Sequence, residues 1–283
     1  MPLANRPPSP TFRPDTMSTE KRESNEPESI EIRCYFVRER NALVARGQFS
    51  DLYMDYYLHL MENKLKNEQA YDQNLKDGFA ALALHLASRP WNEAIAWTLS
   101  WQDPPQNYFF TGSNRDATIT GRVFTEDIRR RDTNLLFSQT TVGGQPGRQS
   151  MIEVASLDLL KIGEHYYEQS EQRPGRYFRH EEEDIVLVTA QPDCDMEWFG
   201  NLDEDKIRAL DTDEELSLLE KRHFRFECGC SQEKLLPIFA NMSDASLEDA
   251  FAGTETIPTG CPRCGAKYVI TRETLEAFQN DQS

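Results

Sequence analysis

The 283-residue sequence has no stretch near the ~18 consecutive apolar residues that a membrane-spanning helix requires. It also has no basic patch. The densest cationic run, "RRR" at 129–131, sits between Asp127 and Asp132 and reads as a solvated face. The chain carries 31 Lys and Arg against 48 Asp and Glu, a net charge of −17. A surface of that sign repels nucleic acid and anionic membranes, so neither is expected as a partner. No G-x-S-x-G, H-E-x-x-H or phosphate-binding glycine loop occurs. Without a recognisable acid/base or nucleophile set, no enzyme is expected, and nothing points to ATP. The run Glu181, Glu182, Glu183 reads as a solvated loop.

Residues 1–29 hold six of the fifteen prolines and are otherwise polar, which predicts a disordered tail. The tail has no apolar core of a secretory leader, and Met17 as well as Met1 could begin translation. The expected location is the cytoplasm, where thiols stay reduced. Paired cysteines there suggest metal or redox work before structural disulfides.

What is present starts at Ile30. A globular domain is expected over 30–190. "DLYMDYYLHLMENKL" (51–65) spaces Leu52, Tyr56 and Leu60 as a helix, with Asp51 as its N-cap. "GFAALALHLASR" (78–89) is apolar nearly all round, a buried helix. In "IAWTLSW" (95–101) the period drops to two, with Trp97 and Trp101 on one strand face, and "DPPQN" breaks it. "ATITGRVF", "NLLFSQTTV" and "DIVLVTA" read as further strands. "SLDLLKIGEHYYEQSEQRP" (156–174) reads as a helix capped by Ser156 and closed by Pro174, with Tyr166 and Tyr167 in the core. An early helical pair, a run of strands and a later helix imply an α+β fold around a largely antiparallel sheet.

Residues 191–225 form an acidic connector. Between Asp193 and Glu220 eleven acids face only Lys206 and Arg208. "DEELSLLEKR" reads as a short helix with little to anchor it, so a metastable linker is expected.

The last segment, 226–283, spends four of the six cysteines in two pairs: Cys228 and Cys230 as C-x-C, and Cys261 and Cys264 inside "CPRCG". Four thiolates make a closed tetrahedral Zn²⁺ site with no open position, hence a structural or switching metal. A module of ~55 residues is marginal on its core alone, and zinc supplies on the order of 10 kcal/mol of coupled folding energy. A redox dithiol at Cys261 and Cys264 is the weaker reading: such a pair belongs at a helix N-terminus, whereas "KYVIT" after it reads as a strand. The helix "RETLEAF" follows, capped by Thr271. Zinc-bound thiolates are the oxidisable form, so such a module can act as an oxidation-triggered unfolding switch. Cys34 is expected to be a buried apolar thiol, Cys194 an exposed and unreactive one, and His223 a structural or solvated residue rather than a spare ligand.

The C-x-C-S-x-E, the interval of about thirty residues, the C-x-x-C and the trailing "GAKYVITRETLEAF" together resemble the redox switch of the heat shock protein 33 family of bacterial chaperones. Upstream, "HYYEQSEQRPGR" (165–176) resembles that family's helix ending in S-E-Q-x-P-x-R. The resemblance spans roughly residues 31–279 and is densest in these two motifs; the connector and the aromatic, charged stretch before C-x-C are shorter than usual for the family. It implies a redox-regulated, ATP-independent holdase. In the reduced state Cys228, Cys230, Cys261 and Cys264 would hold Zn²⁺ and the protein would be inactive. Peroxide with mild unfolding, or hypochlorous acid, would form Cys228–Cys230 and Cys261–Cys264 disulfides. Zinc would leave, connector and module would lose structure, and a homodimer would hold unfolding client proteins. Two other functions fit the cysteines: a zinc-ribbon module binding nucleic acid or a regulatory partner, and a dithiol oxidoreductase. Against the first, residues 227–283 carry nine acids and four Lys or Arg.

Overall fold

The computed structural model describes residues 29–281. The expected disordered tail, apart from Ser29, and the choice between Met1 and Met17 lie outside the described residues. In chain order these are β1 (Ile30–Val37), β2 (Ala42–Gln48), α1 (Ser50–Glu62), α2 (Gln69–Ala87), β3 (Glu93–Gln102), β4 (Pro105–Ser113), β5 (Thr118–Phe124), β6 (Leu135–Val142), β7 (Gln145–Glu153) and α3 (Leu159–Tyr166). A π-helical turn (Tyr167–Glu171) leads to β8 (Gly175–Arg179) and β9 (Asp184–Ala190). Then come α4 (Met196–Gly200), α5 (Glu204–Arg208), α6 (Leu210–Asp213) and β10 (Leu216–Phe226). The C-terminal module adds α7 (Gln232–Ala240), α8 (Asp244–Phe251), β11 (Thr256–Gly260), β12 (Lys267–Thr271) and α9 (Arg272–Asp281).

Ten of these strands form one sheet in the order β7-β6-β3-β4-β5-β10-β1-β2-β9-β8, and β11 pairs with β12 apart from it. Every pairing is antiparallel except β10 with β5, where Arg225 and Phe226 lie beside Thr118 and Ile119. The fold is the expected α+β class. Alternation puts Ile30, Ile32 and Cys34 of β1 on the face covered by α1 and α2, and Tyr35 and Val37 on the other. In β9 both faces are covered: Ile185 and Leu187 join the larger core, Val186, Val188 and Ala190 the smaller. That is why "DIVLVTA" reads as an unbroken apolar run. The helix α2 is fully buried from Phe79 to Ala87, as its all-round apolarity predicts.

Several local expectations are corrected. No side chain caps α1, which begins at Ser50; Asp51 lies in its first turn. Asp158, not Ser156, caps α3, accepting from Leu160 and Lys161 N–H. The α-helix stops at Tyr166, and the turn that follows ends on Gln172 in the left-handed region. Glu183 is not free in solvent: it accepts from Lys76 Nζ (2.8 Å) and Ser50 Oγ (2.6 Å).

The largest departure concerns 191–225. The stretch read as a short helix is β10, seated between β1 and β5 with Phe224 and Phe226 in the core. Its alternation is masked because the pairing with β1 shifts register at Cys34/Tyr35 and leaves Leu218 and Leu219 exposed. The acidic segment before it is anchored. Phe199, Leu202, Ile207 and Leu210 pack over β2, β8 and β9 in the smaller core. Core arginines meet its acids: Arg40 pairs with Asp195 (2.7 Å) and Glu214 (3.0 Å) and lies over the Trp198 ring.

Candidate metal centre

The chain leaves the sheet at Phe226, and two residues later reaches Cys228. Gly229, at φ +61°, turns the backbone so that Cys228 and Cys230 face one way. Ser231 then caps α7, accepting from the Lys234 N–H. The second pair sits between β11 and β12. The Cys261 N–H donates to the Ala266 carbonyl (2.8 Å), the Gly265 N–H donates back to the Cys261 carbonyl (2.9 Å), and Gly265 adopts φ +82°. This is a knuckle between antiparallel strands, not a helix N-terminus. Leu236, Phe251, Ile257, Ile270 and Leu275 form the module's small core beneath it. Thr271 caps α9 as expected: its Oγ1 accepts the Thr274 N–H at 3.1 Å.

The fold brings the four paired cysteines together. Their sulfurs all lie within 4.8 Å of one another, with Cys228–Cys261 at 3.7 Å and Cys230–Cys264 at 3.5 Å. A tetrahedral ion with ~2.3 Å metal–sulfur bonds spaces its ligands about 3.8 Å apart, so the residues fit a metal ion such as zinc. Cys261 and Cys264 are buried, Cys228 and Cys230 half-buried. Crowding sets their proton affinities. Hydrogen bonds from Cys228 and Cys264, and the Arg263 N–H at 3.4 Å, pull the Cys261 thiol down. The Cys228 thiol is pushed up to about 12 by its bond to Cys261, and Cys264 is pushed up by Cys228 and Cys261. Four thiolates at this spacing repel one another, and a bound cation stabilises them together.

Tyr268 was not expected at the site. Its hydroxyl lies 3.1 Å from Cys230 Sγ and 3.1 Å from the Cys230 carbonyl oxygen. No sequence pattern marks it beyond its place in "KYVIT", four residues after Cys264. Two further contributors come from the distant core. Arg122 of β5 donates from Nη1 to the Cys261 carbonyl (3.2 Å), and His59 Nε2 of α1 lies 3.1 Å from the Cys264 carbonyl oxygen.

The remaining sequence candidates lie elsewhere. Cys34 is buried, its thiol pushed up to about 12 by burial, then by the Glu220 charge. Cys194 is half-buried rather than exposed, packing against the smaller core; burial and then Asp195 raise it. His223 lies on β10, exposed, 3.8 Å from Glu31. Trp97, Tyr166 and Tyr167 are core residues, as expected. No described helix is long and apolar enough to cross a membrane.

A family model described as "Hsp33 protein" matches residues 179–271, which hold all four clustered cysteines. The 33 kDa chaperonin of Caldanaerobacter subterraneus subsp. tengcongensis is 35% identical over 77 residues, 27% of this chain and 26% of that protein. The 33 kDa chaperonin of Pectobacterium carotovorum subsp. carotovorum is 23% identical over 160 residues, 48% of this chain and 55% of that one. The matched stretches thus span about a quarter to about half of these relatives' length. The crystal structure of the 33 kDa chaperonin (heat shock protein 33 homologue) from Thermotoga maritima superposes with a TM-score of 0.68 at 12% identity. It covers 91% of this chain and 99% of that one, a likeness of fold.

Proposed function

The chain belongs to the Hsp33 family, and from that premise we propose that it is an ATP-independent holdase chaperone, silent when reduced and switched on by oxidation of its four clustered cysteines. The observation that carries this reading is the meeting of two cysteine pairs, 33 and 34 positions apart in sequence, as four sulfurs in one cluster. Cys228, Cys230, Cys261 and Cys264 hold Zn²⁺. Bound there, zinc keeps the thiols deprotonated and ties the end of β10 to the β11–β12 knuckle.

Oxidation forms one disulfide between Cys228 and Cys230 and one between Cys261 and Cys264. Each takes two electrons from two thiolates. A peroxide accepts them with two protons and leaves as two waters; hypochlorous acid accepts them with one proton and leaves as chloride and water. Disulfide sulfurs are poor ligands for a divalent cation, so the module loses the binding energy that supplemented its small core. The acidic segment 191–215, which runs directly into β10 and so into the module, undocks with it. It now covers Val44, Phe178, Val186 and Val188 with Phe199, Leu202, Ile207 and Leu210. Undocking would expose that apolar face to unfolding client proteins, and in a dimer two such faces would act together. The protein catalyses no covalent step on its clients, and its thiols are suited to the reducing cytoplasm.

The two other readings are weaker on specific grounds. A catalytic dithiol gains from a helix N-terminus, and Cys261 and Cys264 have none. Nucleic-acid binding lacks the cations it would need. The test is light scattering of a thermally unfolding client. Suppression of aggregation only after oxidation, with zinc released in step, is the expected result. Equal suppression by the reduced zinc-loaded protein would overturn the switch.

A further inference from the structure

We propose that His59 and Arg122 form a latch that reads the state of the cysteine knuckle through its backbone, holding the C-terminal module on the core only while the four sulfurs are gathered. The inference rests on the switch reading above and names the core residues that sense it.

Among the described residues, these polar contacts cross from 228–281 to the core. Arg122 Nη1 donates to the Cys261 carbonyl at 3.2 Å, His59 Nε2 donates to the Cys264 carbonyl at 3.1 Å, and the Lys267 N–H donates to Asn63 Oδ1 at 3.3 Å. Two of these acceptors belong to cluster cysteines themselves. The direction of those carbonyls is set by the turn over 261–266, which its own backbone bonds shape and which carries two of the four clustered sulfurs. The Cys261 oxygen takes both the Gly265 N–H and the Arg122 guanidinium, so its two lone pairs are committed.

The donors are held on the core side. Asn63 Nδ2 lies 3.4 Å from His59 Nδ1, which places the imidazole proton on Nε2, facing the knuckle. The His59 ring packs 5.4 Å from Phe226, itself edge-on to Tyr56 and Phe79. The Arg122 guanidinium lies over the Phe124 ring at 4.3 Å. Neither side chain can follow the carbonyls if the knuckle turns. The approach is also close: a methyl group on Gly265 would stand 3.2 Å from Leu65 Cδ1.

Between knuckle and core lies a cleft of about 630 Å³ with Tyr56, Leu60, Leu65, Tyr71 and Phe124 in its wall. Once Cys261 and Cys264 bridge to each other and separate from Cys228 and Cys230, the turn is free to re-orient. The two carbonyls then leave their donors, and the cleft opens. The latch therefore converts a change at sulfur into exposure of an apolar surface on α1 and β5, on the opposite side of the sheet from the face that α4–α6 cover.

The test uses the reduced, zinc-loaded full chain carrying His59→Phe and Arg122→Met together, which keep the packing on Phe226 and Phe124 but remove both donors. Zinc content and amide hydrogen exchange over 60–68 and 121–126 are measured. Retained zinc with exchange about tenfold faster than in the parent protein is expected, the scale of one or two lost hydrogen bonds. Retained zinc with parental exchange overturns the latch. If the variant loses zinc, the parent protein decides: oxidation with zinc release must accelerate the same amides, and unchanged exchange overturns the latch. A parent protein that never suppresses aggregation would sink the holdase reading while leaving the exchange result to decide the latch.

Discussion

A single nitrogen of Arg176, Nη1, lies 2.9 Å from the backbone carbonyl oxygen of Leu202, and the same nitrogen reaches the carbonyls of Phe199 (3.1 Å) and Gly200 (3.3 Å). The Phe199 and Gly200 carbonyls end α4, where a helix leaves acceptors for a cation, and Leu202 follows two residues later. Arg176 closes the S-E-Q-x-P-x-R motif, so the motif's last residue clasps the acidic segment to β8.

The first prediction follows from that contact. Arg176→Gln removes charge-assisted hydrogen bonds, together on the order of 1–3 kcal/mol of local stability. Hydrogen exchange over 196–213 should rise about tenfold or more, while zinc content and exchange in β3–β6 stay at parental values. Unchanged exchange over 196–213 would show that the apolar contacts of Phe199 and Ile207 suffice to dock the segment.

The rest of the motif builds the ground on which Arg176 stands, and this supplies the second prediction. Glu171 is a buried carboxylate shared by Arg89 and Arg148. Burial opposes its charge, but those guanidinium groups hold its carboxyl below the usual range. Gly175 lies against the Tyr167 ring; a Cβ there would fall 2.6 Å from ring atom Cγ. Gly175→Ala should therefore destabilise the protein by about 1–3 kcal/mol, the usual scale of overpacking, read as a lower denaturant midpoint at unchanged slope. A parental midpoint would mean the π-helical turn relaxes freely.

How much of this was legible depended on the range of the interaction. The cysteine cluster was visible because C-x-C and C-x-x-C are local spacings whose turn chemistry is fixed by neighbours such as Gly229 and Gly265. The strand over 93–102 was visible because its other face is not covered by helices, leaving Ile95, Trp97 and Leu99 to alternate with small or polar residues. β10 was not, because a register shift, exposed Leu218 and Leu219, and a buried Arg222 break its pattern. Arg222 is tolerated there because it stacks on Trp91 at 3.8 Å and donates to Glu220 and the Arg89 carbonyl. The connector's anchors were hidden for a different reason: Arg40 and Arg176 are remote in sequence from the acids and carbonyls they hold. His59 and Arg122, over 130 positions from the knuckle, carry no local sign of their partners.

Metal removal gives the third prediction. The C-terminal module rests on a core of five buried side chains, so a strong zinc chelator applied to the reduced protein should melt it. Protection over 228–281 is expected to fall to nearly that of an unfolded chain, while α2 and β3 remain protected. Cys264→Ser should do the same without chelator, lowering zinc per chain. A fully protected module after complete zinc removal would show that its own packing suffices, and the switch would lose its energetic basis.

The fourth prediction concerns His85, which is fully buried in α2 among the rings of Trp97, Tyr166 and Tyr167. Its Nδ1 lies 2.8 Å from the Tyr167 hydroxyl. Burial drives its pKa down to about 3; among nearby charges Glu171 opposes that shift, while Arg89, Arg173 and Arg148 reinforce it. The unfolded chain, with an ordinary histidine near 6.5, binds a proton across the window from about 6.5 down to about 3 that the folded chain refuses. Stability from this group is therefore complete above about pH 6.5 and is lost as pH falls, by about 1.4 kcal/mol per unit, or ~2 kcal/mol between pH 7 and 5. Denaturant unfolding at pH 5, 5.5 and 6 should give a slope that drops by that amount in His85→Gln, with any contribution from the cysteine cluster cancelling between the two proteins. Identical slopes would mean that the imidazole takes up its proton inside the fold, with the Tyr167 hydroxyl accepting from it.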